Sequence, residues 1–228
     1  MKVLVVAAHG DDETLGCGGT IARHAQEGDQ VFVLILVGRT NRYLVSRGYR
    51  YHQKAIEQIK QASQKAGKIL GVKEILFADL EDEELLTNLT ATVEAVERIV
   101  QQIQPEIVYM HHLGDGNQDH RGVFTATLVA VRAIAKSSPR RVLSYEVLSS
   151  TEQAVGVTAW SFAPNYFVDI RYTLSKKLQA MRCYKDELRQ LPHPRSLEGI
   201  RTLAVYRGMS CHLPAAEAFQ QIRDVWYT

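Results

Sequence analysis

The chain has 228 residues, 46% of them hydrophobic, and a formal net charge of +2 at pH 7. This length is typical of one domain and is enough to bury about 70% of the surface that the unfolded chain exposes. A charge so close to zero, without a long basic block, argues against nucleic acid or an anionic membrane as a partner. The longest apolar runs, such as residues 31–37, are too short to span a bilayer.

The cysteine content and the N-terminus favour a cytoplasmic protein. Cys17, Cys183 and Cys211 have neither the even number of a disulfide framework nor the spacing of a metal site. The N-terminus carries one lysine and reaches polar residues by His9, which does not fit a secretory signal peptide. The sequence leaves the oligomeric state open, with a homo-oligomer as one alternative.

Up to Ser149 the chain alternates short apolar runs with helical patterns. The apolar runs are rich in β-branched residues, which is typical of strands covered on both faces, and they predict strands at 3–8, 31–37, 74–78, 107–110 and 142–147. The stretches between them predict helices at 14–27, 49–70, 90–103 and 121–135. Repeated strand–helix–strand units predict an α/β fold with a Rossmann-like, mainly parallel sheet and helices on both faces.

Beyond Ser149 the pattern becomes irregular. It indicates strands near Trp160 and Phe167 and helices at 174–188 and 197–207. No linker, internal repeat or low-complexity tract interrupts the sequence. We therefore expect a single domain over residues 1–228 with a C-terminal appendage.

Two predicted strand ends carry clusters of histidine and acidic residues. "HGDDE" (9–13) follows the first strand and "HHLGDGNQDH" (111–120) follows the fourth. Ligands of open parallel sheets bind beyond the carboxyl ends of the strands. Carboxylates this close repel one another, and a divalent metal would offset their charge. Two imidazoles and one carboxylate are a ligand set for catalytic zinc, and a neighbouring free aspartate would then take a proton from water.

The main alternative for the first cluster is dinucleotide binding. Gly16, Gly18 and Gly19 give only G-x-G-G, and the second strand ends without an acidic residue for a ribose. The acidic residues at 11–13 would also face the pyrophosphate. We therefore expect no nucleotide cofactor.

The first cluster resembles the A-H-P-D-D-E signature of the PIG-L/LmbE-like zinc-dependent de-N-acetylases, and Asp119-His120 resembles the end of their second motif. "ETLGCGGTIAR" (13–23), "LGV" (70–72) and "HPRSLE" (193–198) are further, softer matches. The resemblance implies that His9, Asp12 and His120 bind Zn²⁺ or another divalent metal. It also implies that Asp11 is the general base.

The chain departs from the family pattern at two positions. Gly10 replaces the usual proline, and Asn117 stands where many relatives have a histidine. Asparagine can donate a hydrogen bond to an oxyanion but cannot act as a titrating acid. Protonation of the leaving amine then falls to Asp11 or to His112. Asp119 is either an ordinary loop aspartate or a residue that orients a histidine ring or Asn117.

Two loops are candidates for substrate contact. His193 and Arg195 form a cationic pair in a loop that suits either a sugar or phosphate ligand or a plain surface turn. The aromatic and basic side chains at 42–51 suit either a substrate lid or an ordinary exposed loop.

These observations predict a metal-dependent hydrolase that removes an N-acetyl group from a small amino-sugar-containing substrate, releasing acetate and an amine. One alternative is a metal-dependent amidase acting on a non-sugar amide. The other is a non-catalytic ligand- or nucleotide-binding protein with the same fold, against which the free base Asp11 argues. Assays of metal content and of acetate release separate the three.

Overall fold

A seven-stranded sheet forms the centre of the computed structural model, which describes residues 1–39, 53–134, 138–154 and 156–226. The strands are β1 (Lys2–Ala7), β2 (Gln30–Arg39), β3 (Glu74–Glu81), β4 (Ile107–His111), β5 (Arg141–Tyr145), β6 (Tyr166–Asp169) and β7 (Ala216–Asp224). The helices are α1 (Asp12–Gln26), α2 (Gln53–Leu70), α3 (Leu89–Ile103), α4 (Gln118–Ala130), α5 (Leu174–Met181) and α6 (Leu197–Met209). Two 3₁₀ helices, Thr151–Gln153 and Thr158–Trp160, follow β5.

The sheet has the strand order β3-β2-β1-β4-β5-β7-β6. Strands β1 to β5 pair in parallel, whereas β7 runs antiparallel to both β5 and β6. The chain runs from β1 to β2 and β3 on one side of β1 and then crosses back to place β4 on the other side. The connections that leave β1 and β4 therefore run in opposite directions across the sheet. Such a switch point leaves a crevice at the carboxyl ends of the two strands. The predicted α/β fold with a mainly parallel sheet is confirmed.

The sheet is covered by helices on both faces, as the apolar runs predicted. Val3, Val5 and Ala7 of β1 pack with apolar side chains of α1, α2, α5 and α6. Leu4 and Val6 point to the opposite face and pack with α3 and α4. Among the residues that the structure describes, no helix is long and apolar enough to cross a membrane.

The largest differences from the predicted elements lie in the C-terminal third. Trp160 lies in a 3₁₀ turn, and the helix predicted at 174–188 ends at Met181. Strand β7 was not predicted, because charged and amide side chains obscure the apolar pattern of its buried first half. It carries β6 into the main sheet, so the C-terminal part completes the sheet. The start of the helix predicted at 49–70, residues 49–52, lies outside the described residues, and α2 is described from Gln53.

Candidate metal centre and catalytic cleft

The turn between β1 and α1 brings the first acidic cluster to the carboxyl end of β1. Asp11 is the residue before α1 and has a φ of 127°, a conformation that L-residues rarely adopt. Its N–H donates to Glu13 Oε2 over 3.0 Å, while Glu13 Oε1 accepts hydrogen bonds from Tyr184 Oη and Thr14 Oγ1 at 2.5 and 2.6 Å. Glu13 therefore holds the backbone of Asp11 in this turn.

His9, Asp12 and His120 come together as a cluster of ligand atoms. Each offers one ligand atom, and these atoms lie within 4.8 Å of one another. Asp12 Oδ2 is 3.3 Å from His9 Nδ1 and 3.3 Å from His120 Nε2. Asp12 and His120 are buried, whereas the His9 side chain is 27% exposed and faces the cleft. The set of two imidazoles and one carboxylate, with one side open to solvent, fits a divalent metal.

The ring of His120 is oriented by Asp115. His120 Nδ1 lies 3.1 Å from Asp115 Oδ1, which leaves Nε2 directed at Asp12. The hydroxyls of Ser150 and Thr151 donate to Asp115 in turn. Burial lowers the pKa of His120, but Asp12 and Asp115 outweigh this effect and raise the pKa to about 9. Burial raises the pKa of Asp115, but His120 and the two hydroxyls bring it down to about 2.

His111 supports the cluster from behind. Its Nε2 accepts the backbone N–H of Ala8 over 3.0 Å, and its ring stacks on His120 with the centroids 3.9 Å apart. Burial, together with the charge of His120, lowers the pKa of His111 to about 4. His111 is therefore a neutral ring that fixes the end of β1 against His120.

Asp11 lies beside the ligand cluster and has a different environment from Asp12. Burial raises the pKa of Asp11 well above its usual value, the charge of Asp12 adds to the effect, and Arg195 partly offsets it. Burial also raises the pKa of Asp12, but His120 and His111 outweigh it and bring the pKa well below its usual value. The pKa values of the two neighbouring carboxylates are thus shifted in opposite directions by their surroundings.

A cleft of about 250 Å³ opens onto the cluster. Its walls include the polar side chains of Lys60, Asp82, Asn117 and Arg195, together with apolar side chains of β2, α2 and β3. Asn117 caps α4, because its Oδ1 accepts the N–H of Asp119 over 2.8 Å. This bond fixes the amide and leaves Nδ2 as its donor.

Asp119 reaches the cleft, where its carboxylate lies near His9. Its carboxylate accepts the N–H groups of Glu83 and Leu85 over 2.7 and 3.0 Å, and its Oδ2 is 3.5 Å from His9 Nε2. The structure therefore links Asp119 to His9 and to the segment after β3. The carboxylate that orients His120 is Asp115, which the sequence could not distinguish from a loop aspartate.

His112 and His193 do not line the cleft. The buried His112 bonds through Nε2 to the carbonyl oxygen of Trp160 over 2.9 Å, and the edge of its ring contacts Phe162. His112 thus lies outside the lining of the cleft, and its catalytic role stays a prediction. His193 Nδ1 accepts the N–H of Arg195, so His193 shapes the loop that brings Arg195 into the cleft. The proposed lid at 42–51 lies outside the described residues.

Two residues that line the cleft, Asp82 and Glu187, and one that contacts Arg195 from outside the lining, Ser149, lie in no motif that identifies them. Asp82 stands in an acidic run that resembles a solvated loop, yet its Oδ1 is 3.1 Å from His9 Nε2. Glu187 and Ser149 contact Arg195 from segments far from both motifs. Among the three, only Asp82 had a signal in the sequence, as the member of the acidic run at 81–84 that could face the cleft.

Comparison with known proteins places both histidine–aspartate motifs inside one family match. Residues 4–131 match the PIG-L family, described as GlcNAc-PI de-N-acetylase. The chain is 29% identical over 223 residues to diacetylchitobiose deacetylase of Thermococcus kodakarensis, covering 92% of this chain and 79% of the relative. It is 27% identical over 191 residues to 4-oxalmesaconate hydratase of Pseudomonas putida, covering 80% and 72%. The solved N,N'-diacetylchitobiose deacetylase of Pyrococcus horikoshii has the same fold, with a TM-score of 0.74, 21% identity and coverage of 97% and 83%.

Proposed function

The chain belongs to the PIG-L family, and from this premise we propose that it is a metal-dependent hydrolase that removes the N-acetyl group of an amino-sugar-containing substrate. One observation carries the proposal: the buried Asp11 carboxylate stands beside a cluster of two histidines and one aspartate that opens into a cleft. A cluster that only bound a metal would not need this second carboxylate beside its ligands.

His9, Asp12 and His120 would hold the metal, most simply Zn²⁺. Bound there, a divalent cation would supply positive charge that lowers the pKa of a water molecule and polarises the amide carbonyl. Asp115 keeps the His120 ring in place, and Asp119 and Asp82 border His9 on its other side.

The protein's own residues would move the protons. Asp11 accepts a proton from the attacking water as its oxygen bonds to the acyl carbon, and Asn117 Nδ2 donates a hydrogen bond to the carbonyl oxygen. When the carbon–nitrogen bond breaks, Asp11 returns the proton to the amine. Acetate and a free amine leave, and the carboxylate is regenerated. Because His112 lies outside the cleft, this route needs one acid–base group only.

The substrate class rests on the sugar deacetylase relative and on the cleft wall. The relative from Thermococcus kodakarensis is named for diacetylchitobiose, an N-acetylated sugar. The cleft offers Lys60, Asp82 and Glu83 as hydrogen-bonding side chains and Phe77 as an apolar ring. Polar groups around one ring suit a hydroxylated, ring-shaped substrate.

The test is acetate release by purified protein loaded with zinc, alongside metal analysis of the same sample. The substrates are N-acetylglucosamine, diacetylchitobiose and simple non-sugar acetamides, with Asp11→Asn as the control. Release from the sugars alone supports the proposal, whereas release from all acetamides points to a general amidase. Hydration of 4-oxalmesaconate without acetate release would favour the activity of the Pseudomonas relative. Metal binding with no turnover of any of them would contradict the proposal.

A further inference from the structure

Arg195 is tied to three segments that meet at the edge of the cleft. Its Nη1 donates to Asp11 Oδ2 over 3.2 Å and to Glu187 Oε2 over 3.1 Å. Its Nε donates to Ser149 Oγ over 2.6 Å. The side chain is 22% exposed, so these contacts are largely shielded from solvent. A guanidinium held at three points has little freedom to follow a substrate.

The charges around Arg195 argue against the anion-binding role that the sequence suggested. One cation faces two carboxylates, Asp11 and Glu187, so the group carries no surplus positive charge for a phosphate. The contacts of Arg195 instead point inward, to the general base.

We propose that Arg195 is a positioning residue that fixes the Asp11 carboxylate for proton transfer, an inference that rests on Asp11 being the general base. Glu13 fixes the backbone of Asp11, and Arg195 fixes its side chain through Oδ2. Within the described part of the chain no donor contacts Asp11 Oδ1, which leaves that oxygen for water. Glu187 and Ser149 accept hydrogen bonds from the Arg195 guanidinium and fix its position beside Asp11.

Arg195→Ala should therefore lower kcat by about 100-fold, the size of effect that misplacing a reacting group by about 1 Å produces. KM should change by less than about threefold, because the proposed role of Arg195 is to hold Asp11 and not to bind the substrate. Arg195→Lys should be intermediate, since one ammonium cannot span Asp11, Glu187 and Ser149 together. Millimolar guanidinium should restore part of the activity of Arg195→Ala and should not raise the activity of wild type. Zinc content should be equal in all variants.

Arg189→Ala is the matched control, because Arg189 lies exposed in the same loop and, among the described residues, its side chain bonds to backbone carbonyls of that loop. It should have wild-type kcat and KM. If Arg195→Ala raises KM and leaves kcat intact, Arg195 binds substrate and the proposal is overturned. The same holds if Arg195→Lys is fully active.

A second readout does not depend on activity. Millimolar guanidinium, far below unfolding concentrations, should raise the melting temperature of Arg195→Ala by filling the vacated site. The rise should be much smaller when Asp11→Asn is added, because the site then lacks its inner carboxylate. Equal rises in melting temperature in the single and double variants would show that Arg195 does not act through Asp11 and would overturn the proposal. This result stands even if wild type releases no acetate, so failure of the proposed function and failure of the positioning role remain distinguishable.

Discussion

At the scale of single residues, the site separates two adjacent aspartates by what surrounds them. Asp12 faces the imidazoles of His9 and His120, whose positive charge favours the charged form of the carboxylate. Asp11 faces Asp12 and the buried interior, with one guanidinium for compensation. Sequence position alone does not separate the two carboxylates, whereas the direction of each side chain does.

We expect Asp11→Asn to keep its metal and to lose activity. The amide retains the shape of the side chain but cannot accept the proton, so turnover should fall by about two to four orders of magnitude. His120→Ala should instead lower metal occupancy, because it removes a ligand atom. Elemental analysis and initial rates on the same samples check both expectations. Equal metal loss in the two variants would show that Asp11 is a ligand.

The histidines also predict that metal binding releases protons. Burial lowers the pKa of His9, but its neighbouring carboxylates outweigh this and hold it well above its usual value, and the pKa of His120 is about 9. Both rings are therefore protonated at pH 7 without metal, and a ligand nitrogen must lose its proton. Zinc affinity should rise with pH until about pH 9. Calorimetry in buffers of different ionisation enthalpy measures the released protons, and none at pH 7 would contradict the prediction.

At the scale of elements, a buried ion pair between Lys177 and Glu217 bonds to backbone groups of α1. Lys177 Nζ donates to the carbonyl oxygen of Leu15, and Glu217 accepts the N–H groups of Gly19 and Thr20. Lys177 and Glu217 also bond to each other over 2.5 Å. The pair thereby links α5 and β7 to the helix that carries Asp12.

Breaking this pair should destabilise the fold strongly. Lys177→Met leaves Glu217 buried without its cation and should lower the free energy of unfolding by about 3–5 kcal/mol. Adding Glu217→Gln should recover part of the loss, because the amide carries no charge and still accepts one N–H. Lys176→Met, one position earlier on α5, should change stability by less than about 0.5 kcal/mol. Urea unfolding measures all three, and a small effect of Lys177→Met would show that the pair is dispensable.

Two glycines show why parts of the local geometry could not be predicted. Gly10 replaces the proline of the family motif, and a Cβ there would come within 2.7 Å of Ile59 and 2.5 Å of Ser63 on α2. Gly16 belonged to a glycine run that suggested a phosphate loop, but it lies inside α1 and lets the helix approach Tyr145. At both positions glycine is required by the close approach of an element distant in the chain, and a local sequence pattern does not show that approach.

At the scale of the whole molecule, the features that depend on a short stretch of sequence could be predicted, and those that depend on packing between distant segments could not. The parallel strands and the two motifs were predictable because apolar runs and strand ends are local features, and they place His9, Asp12 and His120 together. The orientation of His120 by Asp115, with hydroxyls from the segment after β5, depends on how distant segments pack. Strand β7 was hidden for a similar reason, since its buried Glu217 is explained only by its contact with α1.

The proposed metal would join the turn after β1 to the start of α4, and so its removal should be felt by the whole fold. A ligand that binds only the folded state at 100 times its Kd stabilises that state by about 2.7 kcal/mol. For a chain of this size, about 2–4 °C per kcal/mol then gives a fall in Tm of roughly 5–11 °C on chelation. The metal-free protein should still fold, because protonated His9 and His120 pair with Asp12. Zinc should restore the Tm of wild type but not that of His120→Ala. A Tm indifferent to chelator and zinc in both would contradict a metal held by these residues.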